Sequence, residues 1–173
     1  MILYRDARPT DASALAEMAA QSFMETFARL YSDADLAAFL ESVFAPAVLH
    51  AQTADPAYAI RLAINVMGDE EAIVGFAKLG PCVLPDPASR DAAELHQLYI
   101  LKPWQGTGIA ATLMEWAIDV ARAQGARDFV LGVFSDNIRA QRFYARYGLS
   151  EIGRYGFRVG EQLDDERIWS RAL

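Results

Sequence analysis

Cysteine is nearly missing: Cys82 stands alone among 173 residues, which excludes an internal disulfide. Histidine is almost as scarce, and His50 and His96 lie too far apart to suggest a metal-ligand cluster. Basic residues are in the minority, 16 against 23 acidic, and a formal net charge of −7 argues against general nucleic-acid binding. That sign of charge would suit a cationic small molecule, although acidity by itself commonly serves solubility. No stretch reaches the roughly 20 unbroken apolar residues of a membrane span. The opening MILYRDARPT lacks the basic-then-apolar layout of a secretory signal. The expectations are therefore a reducing, cytoplasmic setting, no metal, no nucleic acid and no membrane. No linker, repeat or low-complexity segment divides residues 1–173, which read as a single domain.

Periodicity supplies the order of elements. Ile2 to Arg5 reads as a strand, and Pro9-Thr10-Asp11 as the start of a helix carrying Leu15, Met18, Ala19, Ser22 and Phe23 on one face. Ser32-Asp33 restarts a helical pattern through Leu36, Phe39, Leu40 and Val43 until Pro46 interrupts it. Residues 58–66 and 72–79 form β-rich runs around a turn at Gly68-Asp69-Glu70-Glu71. Gly80-Pro81 through Pro85-Asp86-Pro87 reads as loop, and residues 94–101 as another strand. A helix follows from Gly106 to Gln124, a strand from Phe129 to Phe134, and a second helix from Asn137 to Tyr147. Residues 149–159 and 163–169 close the chain as a hairpin turning at Gly160-Glu161, where glycine in the first position suits a type II′ turn. This is a mixed α/β (α+β) chain with antiparallel hairpins at both ends and a βαβ unit near residues 94–134.

The stretch Lys102-Pro103-Trp104-Gln105-Gly106-Thr107-Gly108-Ile109-Ala110 places two glycines at the mouth of a helix. Such glycines let phosphate oxygens approach, and the first turn of the helix offers free N–H groups with partial positive charge. A Walker A loop is excluded, because no Gly-Lys-Ser/Thr follows. A dinucleotide fingerprint fits the spacing Gly106-x-Gly108-x-x-Ala111, with Asp136 beyond the next strand. It fails because four residues separate the strand from the first glycine and too little chain remains for a doubly wound sheet.

Gln105-x-x-Gly108-x-Ala110 resembles the Q/R-x-x-G-x-G/A signature of the GNAT N-acetyltransferase superfamily. Two further matches support the likeness. Glu94 lies 11 residues before Gln105, on the strand where many members carry a general base. Asn137-x-x-Ala140-x-x-Phe143-Tyr144-x-x-Tyr147-Gly148-Leu149 resembles the second motif, with Leu149 in place of the usual phenylalanine. The order of elements also agrees across the whole chain. Less closely, YSDADLAAFL and YGFRVGEQLDDERIW resemble the branch that includes bacterial polyamine acetyltransferases.

The resemblance implies a mostly antiparallel sheet of about seven strands, flanked by about four helices and splayed between two central parallel strands. It implies acetyl-CoA as co-substrate and a small primary amine as acceptor, with a homodimer allowed. Gln105, Gly106, Thr107, Gly108, Ile109 and Ala110 would hold the pyrophosphate. Backbone groups of Leu98, Tyr99 and Ile100 would meet the pantetheine arm. Asn137 would bond that arm, with Ala140 and Phe143 beside it and basic Arg146 toward the phosphates. Tyr144 would protonate the departing thiolate and Glu94 would accept the amine proton. Each residue has a plainer alternative: a core ring for Tyr144, a helix cap for Asn137, a surface pair for Glu94.

His96 shares Glu94's side by strand alternation and reads as a wall residue or substitute base. Arg139, Arg142 and Arg146 form a stripe that could meet the phosphates, with solvated helix face the plainer reading of Arg139 and Lys102 a weaker phosphate contact. Phe27, Tyr31, Tyr155, Phe157 and Trp169 read as core or acceptor-pocket lining, and Glu161, Asp164, Asp165 and Glu166 either attract a polyamine or form a solvated charge run beside a turn. A non-catalytic acyl-CoA-binding module, or acetylation of a peptide N-terminus or lysine, are the competing functions.

Overall fold

The structure, a computed structural model, describes residues 1–85, 88 and 91–173. Its elements run β1 (Ile2–Asp6), α1 (Ala12–Phe27), α2 (Asp33–Phe44), α3 (Pro46–Ala54), β2 (Ala59–Met67), β3 (Glu70–Pro81) and β4 (Ala92–Ile100). They continue with α4 (Ile109–Ala123), β5 (Asp128–Phe134), α5 (Ile138–Ala145), β6 (Ser150–Val159) and β7 (Gln162–Ala172). The strands form one sheet in the order β1-β2-β3-β4-β5-β7-β6. Every neighbouring pair is antiparallel except β4 and β5, which lie parallel at the centre.

Local chemistry explains the helix boundaries. Ser32 caps α2 by accepting from the Asp35 N–H at 3.1 Å, and Asp33 and Asp35 set negative charge against the positive end of the helix. Pro46 occupies the first turn of α3, where its missing N–H is no loss. By length and composition Asp33–Ala54 would pass for a membrane span. In the fold it breaks at Ala45 into α2 and α3, and it sends Phe39, Phe44 and Leu49 into the interior.

The sheet separates two cores. One lies under α4 and joins Leu113, Met114 and Ala117 to Leu79, Leu95, Ile100 and Phe129. The other lies under α1, α2 and α3 and joins Leu15, Phe23 and Leu49 to Leu62, Ile64, Phe76 and Val159. Burying a side chain of that size contributes about 1.5–3 kcal/mol. The two faces also fix which polar residues meet.

Three findings refine the sequence expectations. β3 runs on to Pro81, because Gly80 lacks the Cβ that would lie 2.7 Å from the Tyr58 ring, so Gly80 and Pro81 are strand rather than loop. The loop expectation for residues 86 and 87 lies outside the described residues. At the last hairpin Gly160 takes φ +56 and, among the described residues, no non-glycine takes a positive φ, as a type II′ turn requires. A side chain at Gly160 would run into Asp35, whose carboxylate accepts from the Glu161 N–H at 3.2 Å and seats α2 on the turn.

Candidate active site

β4 and β5 pair only where Ala92–Glu94 face Asp128–Val130. Both strands continue, to Ile100 and Phe134, without pairing to each other. Backbone groups of Leu98, Tyr99 and Ile100 that point toward β5 therefore have no ladder partner on that side, and such groups require one. The result is a wedge closed at Glu94 and Val130 and open toward the starts of α4 and α5.

A bulge on β4 decides what faces the wedge. Leu79 opposes Leu95 and Lys78 opposes Gln97, so His96 is one residue in excess. Leu95, Leu98 and Ile100 consequently share the α4 face. Glu94, Gln97 and Tyr99 share the opposite face, where the Tyr99 ring meets Phe76 and Phe44 with centroids 5.6 and 6.0 Å away.

At the open end, Gly106 and Gly108 take φ +84 and +93, a region costly to any residue with a Cβ. Gly108 is the N-cap of α4 and no side chain caps that helix. The first-turn amides are thus exposed donors beside a wedge, a standard anion cradle. Gln105 Nε2 donates to the Ile100 carbonyl at 3.1 Å, and Thr107 Oγ1 to the Trp104 carbonyl at 2.7 Å, which together hold the loop against β4. Arg139 reaches over from α5 to donate to Gln105 Oε1. That contact bridges the two sides of the opening, and Arg139 stays exposed there, as its helical position suggested. A groove of about 450 Å³, lined by Met24, Glu25, Arg29, Lys102 and Gln105 among others, opens beside it.

On α5, Asn137 acts as N-cap, its Oδ1 accepting from the Ala140 N–H at 3.2 Å. Its amide N–H groups remain donors. Gln141 Nε2 bonds the Phe134 and Ser135 carbonyls at 3.2 and 2.8 Å, fastening α5 to the end of β5. Ala140, Phe143 and Tyr144 pack half-buried against the α4 core. Arg146 turns its guanidinium over the Phe143 ring at 5.3 Å. Burial pushes the Tyr144 hydroxyl above the ordinary phenol range, and the charge of Glu166 adds to it, so Tyr144 stays protonated at neutral pH.

Glu94 is buried, and its Oε2 accepts from the Val83 N–H at 2.8 Å. Its Oε1 lies 3.7 Å from His96 Nδ1, and His96 Nε2 lies 3.0 Å from the Pro81 carbonyl. Burial holds the His96 imidazole below its usual range. Lys78 is buried on the same face, with its Nζ bonded to Gln52 at 2.9 Å, and burial lowers its pKa to about 8. Glu94 thus belongs to a polar group that ties the end of β3 and the segment at Val83 to β4.

A second polar group was concealed in the supposed solvated charge run. β7 alternation turns Asp164, Glu166 and Ile168 inward and Asp165 outward to Arg167 at 2.8 Å. Asp164 is buried, accepting from the Tyr31 hydroxyl and from Gln162 at 2.7 Å. Tyr155 lies opposite Glu166 on β6, and Phe134 opposite it on β5. A side chain at Gly132 would collide with the Tyr155 hydroxyl and come within 3.4 Å of Glu166 Oε2. The signal for this group was the two-residue step Asp164, Glu166, Ile168 set against Tyr155, Phe157 and Val159 across the hairpin. Phe27, Tyr31 and Phe157 also line this face, whereas Trp169 packs on the α4 side.

Residues 16–149 match the Acetyltransferase (GNAT) family, more than half of the chain. The chain belongs to the GNAT acetyltransferase family. An uncharacterized N-acetyltransferase of Mycobacterium tuberculosis is 35% identical over 164 residues, covering 95% of this chain and 99% of its own length. Among solved structures, the paia N-acetyltransferase of Thermoplasma acidophilum, in complex with coenzyme A, shares the fold with a TM-score of 0.77 at 20% identity, covering 100% of this chain and 99% of that one. NAA60 of Arabidopsis thaliana, with a bisubstrate analogue, does so with a TM-score of 0.71 at 16% identity, covering 100% and 99%. As a GNAT member the protein is an acyltransferase, an acetyl-CoA-dependent N-acetyltransferase, and its parallel β4–β5 pair at the centre of seven strands is the GNAT sheet.

Proposed function

We propose that this protein transfers the acetyl group of acetyl-CoA to the primary amine of a small molecule by direct attack within a ternary complex. The observation that carries the reading is the wedge: unpaired β4 backbone, the uncapped start of α4 at its open end, and a protonated tyrosine on α5 beside it. Amides of residues 106 to 110 bind the pyrophosphate, with Gln105 and Arg139 shaping the entrance. Backbone N–H and C=O groups of Leu98, Tyr99 and Ile100 receive the pantetheine amides, and one N–H polarises the thioester carbonyl. Asn137 supplies an amide donor, Ala140 leaves room, Phe143 packs alongside, and Arg146 adds positive charge. Tyr144 gives its proton to the departing sulfur, a role suited to a phenol that remains protonated.

A carboxylate on the α1–α3 face removes the amine proton, and Glu94 is the sequence-based candidate. Most of the rate comes from holding amine and thioester together. The protein resides in the cytoplasm under this reading. Acetyl-CoA is titrated against thermal stability, where a specific ligand raises the melting temperature with concentration. Thiol release is then followed with an amine panel. A melting temperature indifferent to acetyl-CoA refutes cofactor binding, and stabilisation without thiol release from any amine refutes transfer.

A further inference from the structure

We propose that Glu166 on β7 is the carboxylate that pairs with the acceptor's ammonium and takes its proton, and that Glu94 is a positioning residue. This assignment rests on the transfer reading above and names the residue class that the reading leaves open.

Geometry separates the two carboxylates. Glu94 sits at the closed apex, with one oxygen held by the Val83 N–H and the other near His96. Glu166 sits in the row Phe134–Glu166–Tyr155, across the strand that forms the far wall of the wedge. Gly132, lacking a Cβ, leaves room for both the Tyr155 hydroxyl and the Glu166 carboxylate. Among the described residues, no hydrogen bond or salt bridge engages the Glu166 carboxylate, whereas Asp164 is committed to Tyr31 and Gln162. Gln97, on the same face of β4, carries a buried Oε1 that no donor reaches, an acceptor suited to a second N–H of the same nitrogen.

The electrostatics agree. The charge of Glu166 is felt by Tyr144 on α5, Tyr99 on β4, Tyr155 on β6 and Tyr31 after α1, the groups facing it from the surrounding elements. Asp164 and Asp165 flank it on β7. Glu94 acts on Lys78, Cys82, His96 and Tyr155, and so stands beyond the tyrosine that separates the two acids. Burial first, then Asp164 and Asp165, raise the Glu166 carboxyl to about 8. An alkylammonium ionises near 10, so proton transfer to Glu166 is far better matched than transfer to an ordinary carboxylate near 4.

The step balances. The ammonium gives one proton to Glu166 and becomes a neutral amine, whose lone pair forms the C–N bond to the thioester carbonyl carbon. The C–S bond then breaks, sulfur takes the Tyr144 proton, and the second proton leaving nitrogen restores Tyr144. Glu166 returns its proton to water, so each cycle yields amide, thiol and one released proton.

The test compares wild type, Glu166→Gln, Glu166→Asp and Glu94→Gln, using acetyl-CoA with n-butylamine, 1,4-diaminobutane and glycinamide. We expect Glu166→Gln to lose about a hundredfold or more in kcat/KM. Its KM for acetyl-CoA stays within twofold, and the rise in rate centred near pH 8 disappears. Glu166→Asp recovers part of the rate, and Glu94→Gln keeps the rise near pH 8. Infrared difference spectra of wild type against Glu166→Gln show a carboxyl that loses its proton near pH 8. A carboxyl titrating near pH 4, or wild-type turnover in Glu166→Gln, overturns the assignment and leaves transfer intact. No thiol release from wild type with any amine overturns transfer and the assignment together.

Discussion

Replacing Glu166 with glutamine removes a carboxyl whose ionisation the folded protein resists, so the variant gains stability at alkaline pH. In the unfolded chain a glutamate ionises near 4.3, whereas in the native state burial and the charges of Asp164 and Asp165 raise it to about 8. Between those values the native state binds the extra proton, so the folded wild type loses stability as pH rises through the window and stays lower above it. A shift of more than three pH units sets an upper bound of roughly 5 kcal/mol. Glu166 is only half-buried, and solvent screening brings the expected effect down to about 2 kcal/mol. For a chain of this size, that corresponds to a melting temperature about 4–8 °C above wild type at pH 9. At pH 3 the glutamate is protonated in the folded and the unfolded chain alike, and the two proteins melt together. Scanning calorimetry of both proteins at pH 3, 7 and 9, at constant ionic strength, supplies the comparison. A difference independent of pH, or a variant less stable than wild type at pH 9, would falsify the reasoning.

Tyr144→Phe should lower thiol release by about a hundredfold while the acetyl-CoA concentration giving half-maximal thermal shift stays within twofold; unchanged turnover removes the hydroxyl from the mechanism. Gly108→Ala meets no atom within 4 Å, so its cost is conformational: φ of +93 should take about 1–2 kcal/mol from the fold and raise the KM for acetyl-CoA several-fold, as melts and initial rates will show. Arg5→Ala breaks a paired contact with Asp11 at 2.7 and 2.8 Å and should cost about 1 kcal/mol in urea titrations at pH 7. Arg5 holds the Asp11 carboxyl below its ordinary range, so that stabilisation is present at neutral pH and fades as pH falls through the depressed value. A deficit undiminished in acid would count against the pairing.

Elements carrying strong periodicity or turn chemistry were legible from the residues. The hairpin at Gly160, the amphipathic α4 and the glycines opening it follow from local rules, and their sequence spacing sufficed to place the anion cradle. The wedge could be expected only through the family likeness, since pairing of β4 with β5 is a long-range property. Glu94 and Glu166 read alike in sequence, and only their neighbours distinguish them. The Val83 N–H occupies one, while among the described residues no hydrogen bond or salt bridge engages the other. Asn137 served a cap as well as any ligand, because the same Oδ1 that suits an amide also suits the first turn of α5. The exposure of Arg139 was legible from its helical position, which does not say what Gln105 offers on the facing loop.

The surplus residue at His96 sets the phase of everything after it on β4. Were β4 to run through His96 in unbroken alternation, with no bulge, its second half would rotate by half a turn. Leu98 and Ile100 would then be thrust toward α1, and the phenol ring of Tyr99 would be driven into the packed flank of α4. The bulge therefore decides which residues face the wedge, and deletion of His96, which straightens the strand, should keep Leu98 and Ile100 on the α4 face.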